Sequence, residues 1–363
     1  MMVEFLTGDA LVWFVGALLA YLIANAGARL AAEAKFLPDV PNHRSSHRKV
    51  TSKAGGLAIF SAWFISILMV TAFDGVGDAV AGARVGILTL LAFGLGLSDD
   101  RWRLNAFSKF VGQLLIALVF AFAIAQIDML PLPFVGEVEL GPFAIPVTVL
   151  WIVAFMNIFN FMDGANGLAA GVGIIGLCVF AVVIAMIGGS EYAVAALALS
   201  AAILGFFRWN MRRGAIFMGD GGSQGIAFFI AAAAVSAGQS YELSILFVPL
   251  IFLPFIFDAA ITLTHRLLRR QRITDAHREH LYQLLLRSGW RHERVAVFYC
   301  ALTALTAAAA VIMLTMPSMW RWAVIGGAVI LLGCVALLIY RETWRSLSGR
   351  ENMSPPEDVA GSD

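Results

Sequence analysis

Charge is what this chain has least of. Only 13% of its 363 residues are Asp, Glu, Lys or Arg, 60% are apolar, and the mean hydropathy is +0.83. Soluble globular chains carry about 25% charged and about 45–50% apolar residues, so a water-soluble globule is excluded. Net charge is nearly absent as well, at +1. With no basic tract interleaved with aromatics, nothing points to nucleic acid as a partner. Cysteine is scarce, and Cys178, Cys300 and Cys334 each sit inside an apolar run. A disulfide framework and a thiolate metal site are therefore not expected. No cleavable secretory signal is expected either, because the first apolar run lacks a basic n-region and precedes a long polar loop with no small-residue cleavage pattern. Nor does any internal repeat suggest the symmetric halves of a secondary transporter.

What the chain does have is long apolar runs. A bilayer core of ~30 Å needs ~20 mostly apolar residues per helix. Eleven segments qualify: 9–32, 55–73, 79–98, 106–127, 143–161, 165–187, 191–209, 222–238, 243–264, 294–316 and 319–340. The expected fold is an all-α polytopic membrane protein, with one integral domain over 1–345 and a disordered tail over 346–363, polar and proline-bearing from Asn352. Lys and Arg accumulate in cytoplasmic loops. With the N-terminus outside, all 25 except Arg84 and Arg321 fall on the inner side, which predicts an N-out, C-in topology and an odd number of spans. His43, His47, His265, His277, His280 and His292 share that side with Asp99, Asp100, Asp163 and Asp220, so the chemistry is expected at the cytoplasmic face. Segment 128–142, with Pro131, Pro133, Gly136 and Gly141, reads as a short external hairpin or loop.

Acids recur where the apolar runs end. Asp99 and Asp100 are adjacent and repel one another, a repulsion that a divalent cation or a proton relieves near a membrane surface; the alternative is a solvated helix stop. Asp220 is flanked by Gly219, Gly221 and Gly222, which let backbone amides approach an anion. Magnesium commonly takes one or two carboxylates plus substrate phosphates, so one acid of the first pair and Asp220 make a candidate metal site. Asn157, Asn160, Asp163 and Asn166 recur every three residues along one face. Such groups are costly to desolvate and should bind something polar, or else bond between helices. The loop 41–49, holding Arg44, Ser46 and His47, and the stretch 265–294 suit phosphates, although basic inner loops mark topology by default. Asp258, inside an apolar run, is a functional candidate or a helix-to-helix hydrogen bond.

These stretches, in order, resemble the polyprenyl-phosphate N-acetylhexosamine-1-phosphate transferases, glycosyltransferase family 4. The likeness rests on Pro41-Asn42-His43-Arg44-Ser45-Ser46-His47 with Gly55-Gly56; Asp99-Asp100; Asn157 to Gly164; Trp209-Asn210 with Arg213 to Asp220; and His277-Arg278-Glu279-His280-Leu281. Over residues 35–300 it spans nearly the whole membrane part. It implies transfer of a sugar-1-phosphate, of N-acetylhexosamine type, from a UDP-sugar to undecaprenyl phosphate, with release of UMP. It implies magnesium, with manganese as a substitute, and a multi-pass protein of the bacterial inner membrane that starts a surface glycan such as O-antigen or a cell-wall polymer. By the same likeness Asp100 and Asp220 hold the metal, Asp99 lies beside the lipid phosphate, and Asp163 and His280 lie near the diphosphate. Phe217 stacks on uracil, and Asn166 and Asn210 contact the nucleotide. Arg44, Ser46, His47, Lys53, Asn157, Asn160 and His277 are the remaining substrate contacts, and a homodimer is allowed.

The chain departs from the family pattern at Asn166, where many members carry an acid, at Val50-Thr51-Ser52-Lys53-Ala54, and in lacking a triple-histidine run. These differences favour the O-antigen-initiating branch. The rival readings are a cation-coupled transporter or lipid flippase, and a non-catalytic lipid-binding scaffold. Transporters put binding groups near the bilayer midplane on broken helices, whereas these acids gather at one interface.

Overall fold

The computed structural model describes residues 9–39, 50–74, 79–212, 214–271 and 278–351. Long helices dominate because, in hydrocarbon, every backbone N–H and C=O must be paired within its own segment. They run α1 (Asp9–Ala34), α2 (Gly55–Asp74), α3 (Ala79–Trp102), α4 (Ala106–Ala123), α5 (Ala144–Met162), α6 (Leu168–Met186), α7 (Ser190–Met211), α8 (Gly219–Tyr241), α9 (Phe247–Ile251), α10 (Leu253–Leu268), α11 (Leu281–Arg287), α12 (His292–Thr315) and α13 (Ser318–Glu351). Strand β1 (Pro38–Asp39) pairs antiparallel with β2 (Thr51–Ser52). Strands β3 (Met129–Leu132) and β4 (Gly136–Glu139) make a hairpin in the segment 128–142, with Met129 opposite Glu139.

Among the described residues, ten helices are long and apolar enough to cross a membrane, where the sequence predicts eleven spans. The difference lies in the run 243–264, which is broken into α9 and α10. Pro254 falls in the first turn of α10. It has no amide hydrogen to carry the helical ladder onward, and its ring excludes the carbonyl four residues back, so the chain bends at Phe252. The broken pair still travels from one end of the bundle to the other. It begins just after Tyr241, whose hydroxyl bonds Glu191 at the head of α7. Further on, Asp258 bonds His280, and the neighbouring Tyr282 bonds the Phe161 carbonyl at the foot of α5.

Helix α8 is the axis of the bundle. Of its most apolar stretch 94% is buried, against 17% for α1 and 22% for α4 and α13. Its composition explains this: Gly221, Gly222, Gly225 and the alanines 231–234 give it a narrow girth, so α2, α3 and α5 pack close around it. Aromatic rings fill the space between. Phe60 of α2 stacks on Phe93 of α3 at 4.9 Å, and Trp63 meets Phe229 of α8 edge-on at 5.7 Å. Phe14, Leu22, Phe122 and Leu337 on the outer helices are exposed, as a lipid-facing surface requires. Helix α13 continues to Glu351, so positions 346–351, expected in the tail, are helical; residues 352–363 lie outside the described residues.

Because successive helices reverse direction, the C-terminal ends of α3, α5 and α7 meet the N-terminal ends of α4, α6 and α8. The expected site residues that fall among the described residues sit at that end of the bundle.

Candidate active site

The site begins with backbone. Three separate segments are knitted by main-chain bonds: Lys53 N–H donates to the Leu37 carbonyl (2.9 Å), Phe217 N–H to Ser52 (2.8 Å), Gly55 N–H to Phe217 (3.0 Å) and Gly56 N–H to Met218 (2.7 Å). This weave fixes where α8 starts. At its first residue Gly219 has φ +75°, and a Cβ there would lie 2.6 Å from Asp100 Oδ2 and from the Lys53 carbonyl oxygen. Only glycine fits such a turn.

The acids then converge on this turn. Asp100, in the last turn of α3, accepts the Gly221 N–H through Oδ2 at 2.9 Å, one of the amides that a helix start leaves without an internal partner. Asp220, in the first turn of α8, accepts Asn160 Nδ2 from α5 at 3.2 Å, and the same amide donates to Ser223 at 2.8 Å. Asp99 bonds Lys109 Nζ at 2.9 Å, and that ammonium also pairs with Asp220. Lys109 is on α4, whose start is fixed by Asn105 accepting the Ser108 N–H at 2.8 Å. Asp163 caps the C-terminal end of α5. Burial, and then the charges of Asp220 and Asp100, hold its carboxyl well above the usual carboxylate range.

Asp99 and Asp220, from two helices, thus share one ammonium, and Asp100 and Asp163 come to the same turn beside Asp220. Among the described residues no three His, Cys, Asp or Glu side chains converge as a ready ligand set; the cation shared by Asp99 and Asp220 is Lys109. Carboxylates that already share a cation are hard oxygen donors of the kind magnesium and manganese take, so the donor set fits such an ion. Beside them opens a cavity of about 910 Å³ lined by Lys35, Lys53, Arg101 and Arg103 together with Asp39, Asp99, Asp100 and Asp220. Lys53 pairs with Asp39 at 3.3 Å. A polyanion with a counter-ion would find both signs of charge here. A cavity of about 1070 Å³ at the opposite end, lined by the β3–β4 hairpin, carries Asp128, Glu137 and Glu242 but a single Lys or Arg, Arg321, among the described residues.

The other expected residues are distributed unevenly. Phe217 is half-buried beside Gly214, which also touches the Asn166 amide, and the Asn166 backbone N–H donates to His292 Nδ1 at 3.3 Å. Asn210 is buried and uses both ends of its amide internally, accepting Gly167 N–H at 2.5 Å and donating to the Ile216 carbonyl at 2.9 Å. It ties the loop after α5 to the loop before α8. Asn157 sits one turn deeper than Asn160 and donates to Gln113 (2.9 Å) and to Val153 (2.7 Å), while Gln113 donates to Gln224 at 2.8 Å. His280 is buried against Asp258. Arg44, Ser46, His47 and His277 lie outside the described residues. Lys109 and Ser223 were not among the expected site residues. Lys109 lies within an apolar run ten positions after Asp99, and that placement was its signal.

A multi-pass helical bundle with acids and cations gathered at one end is the class of protein that fold and site define. Comparison with known proteins makes it specific. The model of glycosyl transferase family 4 matches residues 83–238. A probable undecaprenyl-phosphate N-acetylglucosaminyl 1-phosphate transferase of Bacillus subtilis is 32% identical over 311 residues, 85% of each chain. A decaprenyl-phosphate N-acetylglucosaminephosphotransferase of Mycobacterium tuberculosis is 29% identical over 358 residues, 91% of this chain and 88% of the relative. A phospho-N-acetylmuramoyl-pentapeptide-transferase of Thermoanaerobacter is 29% identical over 266 residues, 70% of this chain and 81% of the relative. The chain belongs to glycosyl transferase family 4 and is a transferase of the membrane.

Proposed function

We propose that this protein transfers a sugar-1-phosphate, of N-acetylhexosamine type, from a UDP-sugar to undecaprenyl phosphate, giving undecaprenyl-diphosphate-sugar and UMP. The observation that carries the reading is the gathering of Asp99, Asp100, Asp163, Asp220 and Lys109 at one end of the bundle beside a cavity lined with Lys and Arg. The transporter and scaffold readings are not favoured, since the relatives are transferases.

In the reaction an oxygen of the acceptor phosphate bonds to the sugar-bearing phosphorus of the donor, and that phosphorus releases the bridging oxygen to UMP. Such transfers are accelerated by positioning and by neutralising charge rather than by covalent chemistry. Asp100 and Asp220 would hold the divalent cation, and Asp163 lies near enough to feel their charges. Magnesium, or manganese in its place, would offset the negative charge of the phosphates when bound there. Lys109 brings a fixed positive charge to the same place, and Lys53, Arg101 and Arg103 draw phosphates into the cavity. Asp99, committed to Lys109, orients the acceptor rather than removing a proton from it: a phosphate monoester with a second pKa of ~6 is mostly dianionic at neutral pH. Asn210 and Gly167 hold the loop that presents Asp163 and Asn166, and Phe217 offers a ring for the uracil base.

An acceptor anchored by its lipid at the inner leaflet requires a site at that leaflet, which matches the N-out, C-in orientation inferred from Lys and Arg and a location in the bacterial inner membrane. The test is incubation of purified protein with undecaprenyl phosphate, magnesium and a panel of UDP-N-acetyl sugars, following UMP. Release with one donor, dependent on both lipid and magnesium, supports the reading; no UMP from any donor overturns it.

A further inference from the structure

We propose that Asp258 is a positioning residue for this reaction, acting through His280; the proposal rests on the transferase reading above. Asp258 is fully buried in α10, a costly place for a carboxylate. Its Oδ1 accepts the Leu281 N–H (2.9 Å) and faces His280 Nδ1 (3.1 Å) and the Thr262 hydroxyl (3.3 Å). Its Oδ2 accepts the Tyr299 hydroxyl (2.6 Å) and the Tyr282 N–H (3.2 Å). Two of those donors are the first amides of α11, which a helix leaves unpaired, and Tyr299 comes from α12. One side chain therefore ties α11 and α12 to α10.

With so many donors turned toward it, the carboxylate acts as acceptor on both oxygens, so the ring nitrogen facing it is the donor. That fixes His280 as the tautomer with hydrogen on Nδ1 and fixes the ring plane, as carboxylates do for histidines that serve a reaction. The ring so fixed lies 6.0 Å from the Phe161 ring and 6.0 Å from the Tyr282 ring, with which it stacks. Tyr282 reaches across to the Phe161 carbonyl at 3.1 Å and packs on Gly164. Phe161 and Gly164 bracket Asp163. The arm that carries His280 is thereby clamped against the loop that carries Asp163. A neutral Asn or Ser caps a helix about as well as Asp does; what the carboxylate adds is its hold on Nδ1.

The test compares full-length Asp258→Asn, His280→Gln, the double variant and Tyr299→Phe. Asp258→Asn should lower kcat by about 10- to 100-fold, with KM for the UDP-sugar changed less than kcat. His280→Gln should lose a similar factor, and the double variant should be no worse than the weaker single, because both remove one device. Losses that multiply in the double variant, or full activity in Asp258→Asn, overturn the proposal. Nitrogen-15 NMR of labelled histidines gives a readout independent of turnover. The His280 signal, assigned by its loss in His280→Gln, should show a proton on Nδ1 and should shift in Asp258→Asn; an unchanged signal overturns the proposal. If Asp258→Asn does not accumulate, Tyr299→Phe serves instead. It removes one donor and should shift the same signal and lower kcat a few-fold, and no change in either refutes the coupling. A wild-type protein that releases no UMP sinks the transferase reading, while the NMR result still decides whether Asp258 sets the His280 tautomer.

Discussion

Replacing Gly96 with alanine should separate the acids of α3 from the start of α8. Gly96 lies one turn before Asp99 and Asp100, and α3 there presses directly on the first residues of α8. A methyl group at Gly96 would stand 2.5 Å from the Asp220 carbonyl carbon and 2.7 Å from the Gly221 nitrogen, with the Asp220 carbonyl oxygen nearer still. Ordinary contact starts near 3.4 Å, and both neighbours are backbone, so the helices must part by roughly 1 Å. A misplacement of about 1 Å at a reacting centre can cost about 10²-fold in rate, and overpacking costs about 1–3 kcal/mol in stability. The assay is UMP release at saturating magnesium and substrates, with thermal unfolding in the same detergent. Gly94→Ala is the control: same helix, same substitution, and nothing within 4 Å of the new methyl. Alanine is the better helix former by about 1 kcal/mol, so Gly94→Ala should be as active and at least as stable as the parent. Equal turnover in Gly96→Ala and Gly94→Ala would refute the claim that α3–α8 apposition builds the site.

Three further outcomes are expected. Lys109→Met removes the cation shared by Asp99 and Asp220; manganese should bind roughly tenfold tighter, about 1.4 kcal/mol, while turnover falls, and a loss of manganese affinity would contradict this. Asp163 carries a carboxyl held above the usual range by burial, Asp220 and Asp100. Its folded state therefore keeps a proton that the unfolded chain gives up near pH ~3.9, so metal-free stability should fall as pH rises above that value, and metal binding should release a proton and strengthen with pH. Calorimetry in buffers of different ionisation enthalpy should detect this release and lose it in Asp163→Asn. Tyr241→Phe deletes the 2.6 Å bond to buried Glu191 at the opposite end of the bundle; thermal stability should drop by about 1.5–3 kcal/mol with turnover unchanged, and a changed turnover would show that the two ends are coupled.

Much of this arrangement was legible in the residues, and what was not had physical reasons. The spans could be read because ~20 apolar residues have few other uses. The break at Phe252 could not, because Pro249 and Pro254 sit in a run whose mean hydropathy hides them. The three-residue spacing of Asn157, Asn160 and Asp163 located one helical end, but faces diverge over a turn: Asn160 reaches Asp220, and Asn157 turns to Gln113. Lys109 read as one more inner-side charge, and only the fold brings it between acids ten residues before it and 111 residues after it. Asp258 stood out as an acid in an apolar run, yet its partners Leu281, Tyr282 and Tyr299 are 23 to 41 positions away. Strands of two residues, such as β1 and β2, leave no period to read.

The most direct measurement is manganese binding to the purified protein by electron paramagnetic resonance, in the parent, Asp100→Asn and Asp220→Asn. The account predicts a single bound ion per chain in the parent, weakened at least tenfold by either substitution, with UMP release falling in step. Unaltered manganese binding in both variants would contradict it.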